Sequence, residues 1–295
     1  MSPRTLDGRS SVSAAEQLTE PLAYHGEGAV WYSGWGGLKW VDMLAGDVLT
    51  LQFDTGAVDR LSVGSPIAAL VRPREAGGFV VVTEREITLW EAGVKHWSTP
   101  ALWSEAQRRF NEGGCDPRGG IICGSKGSDD EPGGGEVFRM DVDRTVERLF
   151  GDVSISNGLG FTADGTRMFY VDTPTRRIDV FDADGARLVN RRPFVSIAEG
   201  AGYPDGLWVD EHDGVWVALY AGSAVHHYGP EGTLEDVIEV SATQVTSCTF
   251  GGPDLDTLFI TTSREGLAPD EQPSAGAVFS ASVSVRGLPV LTYRG

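Results

Sequence analysis

YPDGLWVDEHDGVWVALYAG, residues 203–222, reads as two strands and a turn. Leu207–Val209 is apolar and aromatic, Asp213-Gly214 is a turn dipeptide, and Val215–Leu219 is a second run rich in Val and Trp. Ahead of the first strand stands Asp205-Gly206. The order polar residue, glycine, strand, glycine-bearing turn, aromatic strand recurs along the chain. It returns as Glu27-Gly28-Ala29-Val30-Trp31 and Asn157-Gly158-Leu159-Gly160-Phe161, with a looser copy at Glu112-Gly113-Gly114-Cys115-Asp116. The lead glycines at 28, 113, 158 and 206 lie 85, 45 and 48 residues apart. The first step has room for two repeats, which puts an unmarked one near Ile67-Ala68-Ala69-Leu70; a sixth starts near Ser247-Cys248-Thr249-Phe250. Six units of about 45 residues predict an all-β chain: a six-bladed β-propeller with four-stranded blades around a central channel.

The rest of the chain agrees with that period. Gly78–Thr83, Arg167–Asp172 and Thr257–Thr261 are short runs of Val, Ile, Phe and Tyr between glycine-rich turns. Helical periodicity is weak and suggests a single turn around Ser104–Arg109. A sheet repeat must dispose of its edges. The last unit runs through Ala277–Ala281 to Pro289–Tyr293, and Gln17–Ala23 is free to add a strand to that blade and remove the seam. The predicted domain is therefore residues 17–295, preceded by a polar tail, 1–16, expected to be flexible.

Composition narrows the function. With 24 Lys+Arg against 42 Asp+Glu the formal charge is −18, which argues against nucleic-acid and anionic-membrane partners. No apolar run approaches the roughly 18 residues of a membrane span, and Met1–Glu20 has no apolar core of a secretory signal. Three cysteines, Cys115, Cys123 and Cys248, without paired spacing predict free, buried thiols rather than disulfides or a zinc ribbon. The expectation is a cytoplasmic protein, monomeric or weakly dimeric, acting on a small molecule.

In a propeller the innermost strands of all blades begin at one level of the channel, so residues far apart in sequence converge there. Those positions hold Glu27, Asn111 or Glu112, Asn157 and Asp205. Carboxylate and amide groups facing one channel repel or stay unpaired without a cation, and an all-oxygen set suits a hard divalent ion. Each dipeptide alone also reads as a turn. Phase separates the candidates from Asp164-Gly165, Asp184-Gly185 and Asp213-Gly214, which fall elsewhere in the repeat and read as hairpin turns. His25 reads as an orienting or packing residue near Glu27. His226-His227 alternate faces of a strand, so one of them at most points inward.

The segments HGEGAVWY (25–32), RRFNEGGCDPRGG (108–120), SISNGLGFTADGTRMFYVDT (154–173), YPDGLWVDEHDGVWVALYAG (203–222) and TSCTFGGPDLDTLFITTSREG (246–266) resemble the SMP-30/gluconolactonase/LRE-like family. The resemblance runs from about residue 20 to the end, with five motifs in order. It implies a six-bladed propeller with one divalent metal, calcium first among Ca²⁺, Zn²⁺, Mg²⁺ and Mn²⁺, and hydrolysis of sugar lactones. By position it implies Glu27, Asn157 and Asp205 as metal ligands, Asp205 also as general acid/base, and Arg109, Asn111 and Asp129 as substrate contacts. The stretch Gly124–Glu131 departs from the family: Lys126 replaces an apolar residue, and Glu112 stands where Asp is commoner. A different hydrolase or secondary-metabolite enzyme on the same scaffold, phosphotriesterase-like, is the first alternative. A calcium-binding protein without turnover is the second.

Overall fold

The computed structural model describes residues 4–6, 10–104, 108–127, 132–185 and 187–295. It is a six-bladed β-propeller. The innermost strands are Gly26–Tyr32, Ala68–Pro73, Arg108–Cys115, Ser156–Phe161, Tyr203–Val209 and Val245–Gly251. Each starts a sheet whose strands follow one another outward in antiparallel order. Burial explains the composition of each layer. Phe79–Thr83, in the second layer, is buried along its whole length because neighbouring blades cover both faces of its sheet. Such strands read as continuous apolar runs rather than alternating ones. The outermost strands, Val58–Ser62 and Val94–Ser98 among them, are mostly exposed or half-buried. Arg108 and Arg109, expected on a helical turn, instead open a strand, where Arg109 pairs with Lys126 and Phe110 with Ser125. Pairing with the next strand outweighs a weak local periodicity.

Closure joins the two chain ends. Glu16 and Gln17 pair with Ser280 and Phe279 as the fourth strand of blade six, and the Leu18 and Thr19 amides both donate to the Val278 carbonyl. Within 1–16, Ser10–Ala14 runs parallel to Leu234–Glu239, outside blade five. The far C-terminus does not extend blade six, contrary to the expectation for Pro289–Tyr293. It crosses one face of the ring as a strap. The Leu288 amide donates to Val209 O in blade five, Tyr293 N to Pro73 O in blade two, and Arg294 N to Gly119 O in blade three. All three cysteines are free and buried, and no helix among the described residues is long and apolar enough to cross a membrane.

Candidate metal centre at one end of the channel

The six innermost strands share one irregularity. Each carries a β-bulge against its neighbour: between Glu27 and Val30, Ala68 and Leu70, Phe110 and Glu112, Ser156 and Leu159, Pro204 and Leu207, and Val245 and Ser247. One extra residue in each strand re-aims the side chains around it. Ala69, Asn111, Asn157, Asp205 and Thr246 lie inside these bulges, and aligning the Gly26–Asp42 pair with Ser156–Asp172 puts Glu27, still paired with Val41, at the same position in blade one. A second repeated feature supports this alignment. Asp42 accepts from Tyr24 N and His25 N in blade one, and Asp172 accepts from Ser154 N and Ile155 N in blade four. In blade three the extra residue is Asn111, with Glu112 back in register opposite Gly124.

The glycines after the polar residues are not turns. A Cβ on Gly158 would collide with Leu207 N and Asp205 O, and one on Gly206 would lie 2.5 Å from Ser247 Cβ. Around the axis the inner strands approach backbone to backbone, and only glycine leaves room. Gly28 also takes φ of +58° at its bulge, which a side chain would strain.

Three of the polar side chains, Arg109, Asn111 and Asn157, are joined directly. Asn111 Nδ2 donates to Asn157 Oδ1 at 2.9 Å and to Ser156 O at 2.8 Å. Arg109 Nη1 donates to Asn111 Oδ1 at 2.7 Å. Asn157 Nδ2 donates to Thr173 Oγ1, which in turn donates to Pro204 O at the entry to the Asp205 bulge. Glu27 Oε2 accepts from the Gly28 amide at 2.8 Å. Glu27, Glu112, Asp205, Asn111 and Asn157 are all buried. Asp205 Oδ1 and Glu112 Oε2 have no hydrogen-bond partner among the described residues.

Burial pushes the Glu27, Glu112 and Asp205 carboxyls above their ordinary range. The Glu27 charge adds to the rise at Glu112, and Glu27 and Glu112 both add to it at Asp205. Lys126 works the other way at Asp205. Burial, then Glu265, Asp205 and Glu27, lift the Tyr220 phenol to about 12, which places it in the same field. Buried carboxylates with orphaned oxygens are costly unless protonated or neutralised by a cation. Among the described residues no group of three His, Cys, Asp or Glu side chains is arranged as a ready metal site; the candidate set includes the Asn157 amide. Its donors are all oxygen, and two of the buried oxygens nearby are unpartnered, so the residues fit a hard divalent ion.

Asp129 is outside the described residues. His25 Nδ1 lies 2.8 Å from Ser263 Oγ and 3.2 Å from Glu265 Oε2, an oriented ring beside Glu27. His226 and His227 sit on the third strand of blade five, away from the channel; His227 is held between Asp210 and Asp236, each at 2.9 Å. Sequence reading missed Arg72, which enters the channel from blade two and donates to the Gly28 and Gly113 carbonyls. Its only signal is a lone arginine inside the apolar run 67–73.

The SMP-30/gluconolactonase/LRE-like region matches residues 25–264. The chain is 33% identical to pentonolactonase XacC of Haloferax volcanii over 90% of its own length and 92% of the relative's. It is 30% identical to regucalcin of Sus scrofa, covering 92% and 95%. Among solved structures it superposes with TM-score 0.89 on a protein described as the calcium-binding protein regucalcin from Agrobacterium tumefaciens, at 25% identity, covering 96% and 98%. With the family region matching residues 25–264 and a 33% identical relative covered over 92% of its length, the chain belongs to the SMP-30/gluconolactonase/LRE-like family.

Proposed function

We propose that the protein is a divalent-metal-dependent lactonase that opens a sugar lactone or similar small cyclic ester. The observation that carries the reading is the pair of unpartnered buried oxygens, Asp205 Oδ1 and Glu112 Oε2, beside Glu27 and Asn157. Glu27, Asn157 and Asp205 would hold the ion, calcium first, as the relative described as calcium-binding suggests. A bound divalent cation supplies a Lewis acid for the lactone carbonyl and its developing oxyanion. The name of the Haloferax volcanii relative supports the substrate class.

The chain's own groups do the rest. Asp205 takes the proton of the attacking water and returns it to the ring oxygen as the C–O bond breaks. Arg109, already fixed on Asn111, presents guanidinium N–H groups to sugar oxygens. Asn111 braces Asn157 from the next blade and contributes a second polar contact. Asp129 is the third proposed substrate contact. Burial of the cluster excludes bulk water, which strengthens each of these interactions.

The test is a lactone panel followed by pH-stat on metal-stripped protein, adding Ca²⁺, Zn²⁺, Mg²⁺ or Mn²⁺ in turn. Turnover that appears only with an added ion is expected. Turnover that survives chelation would overturn the metal requirement. Ion binding without turnover of any lactone would favour a calcium-binding protein instead.

A further inference from the structure

The end of the channel opposite the carboxylates is a different kind of space. A cavity of about 220 Å³ lies there, walled by Leu159, Phe161, Leu207, Val209, Val290 and Leu291, with Arg72 among its lining. Val290 and Leu291 belong to the C-terminal strap. Arg72 is 5% exposed. Its Nη1 donates to Val71 O and Gly28 O and its Nη2 to Gly113 O. A guanidinium has five N–H groups, so the Nε–H and one Nη2–H are left over. A Cβ on Gly114, itself in the cavity wall, would stand 3.9 Å from Nε. No carboxylate is within ion-pair distance of Arg72 among the described residues; Glu112 and Glu27 act on it only as more distant charges. Asp164, at the exposed rim, is already tied to Thr162 and Thr166.

A buried, always-charged guanidinium without an ion pair is a costly arrangement that an anion would relieve. The walls around it are apolar. The volume compares with the roughly 150 Å³ of an apolar cavity that accepts benzene, leaving room for a ring and a few more atoms. We propose that this cavity is a second ligand site, taking a small aryl carboxylate with its carboxylate on the free N–H groups of Arg72 and its ring between Leu159, Leu207 and the strap. The site is separate from the lactonase chemistry and stands whether or not that reading holds.

Phenylacetate is the probe, titrated calorimetrically into the full chain, with neutral phenylacetamide as control. Saturable one-to-one binding is expected, with the amide at least about tenfold weaker. Arg72→Gln should abolish it, but Arg72 also ties the Gly28 and Gly113 carbonyls, so this variant could misfold. Val290→Trp fills the cavity from the half-buried strap and leaves Arg72 intact; it should weaken phenylacetate by at least about tenfold with an unchanged melting temperature. No saturable binding, equal affinity for the amide, or binding untouched by Val290→Trp would overturn the proposal.

Discussion

Asp205-Gly206 and Asp213-Gly214 are the same dipeptide, eight residues apart in one blade, and they do opposite things. Asp205 sits in a bulge of an inner strand, buried, with Oδ1 unpartnered. Asp213 sits in a hairpin turn with φ of +62°; its Oδ1 accepts from Ala163 N and its Oδ2 pairs with Arg167 at 3.2 Å. The second carboxylate is satisfied by the neighbouring blade and has a structural role. The first has an oxygen that no described residue satisfies. Composition cannot tell them apart; position in the repeat can.

The largest expected contrast is in turnover. Asp205→Asn should cut lactonase kcat by at least about 10²-fold with the fold retained by circular dichroism, whereas Asp213→Asn should leave kcat within about twofold. Comparable losses in both variants would break the contrast.

Next comes the glycine at the axis. Gly206→Ala drives a Cβ toward Ser247 Cβ, and overpacking of this kind costs about 1–3 kcal/mol. Urea unfolding would read it, and an unchanged midpoint would mean that blades five and six separate easily at the axis.

The turn side of blade five has its own titratable lock. Gly214 packs against Asp210 and His227. Burial opposes the charged imidazole of His227, but hydrogen bonds to Asp210 and Asp236 outweigh it and raise the ring to about 9. The folded value lies above the ordinary 6.5. The imidazolium's contribution is therefore complete below pH 6.5 and is lost as pH rises through 9. Stability should fall by about 3 kcal/mol across that window, and His227→Gln should remove most of the slope. A flat profile in the wild type would show that the clamp does not titrate there. The smallest effect belongs to Asp213→Asn, within about 0.5 kcal/mol, as expected for a half-exposed ion pair.

Much of this architecture is legible in the amino-acid pattern alone. The repeat phase locates four of six blades because four inner strands carry polar residues beside glycines. Blades two and six are harder to place, since Ala69 and Thr246 stand where the others carry ligand candidates. The choice between Asn111 and Glu112 needs the bulge: Gly113 follows Glu112, so the glycine pattern points one residue late. Arg72 is hidden because one arginine in an apolar strand carries no periodic signal. The strap is hidden for another reason. Pro289–Tyr293 looks like a strand locally, and only long-range bonds to blades two, three and five show that it crosses the ring.

The central claim is that residues 178 positions apart, Glu27 and Asp205, serve one ion together with Asn157. Calorimetric titration of Ca²⁺ into metal-stripped protein, repeated with Asp205→Asn and Asp213→Asn, tests it directly. One ion per chain, lost in Asp205→Asn and kept in Asp213→Asn, is the predicted result. Binding that persists in Asp205→Asn, or no binding of any divalent ion to the wild type, would contradict it.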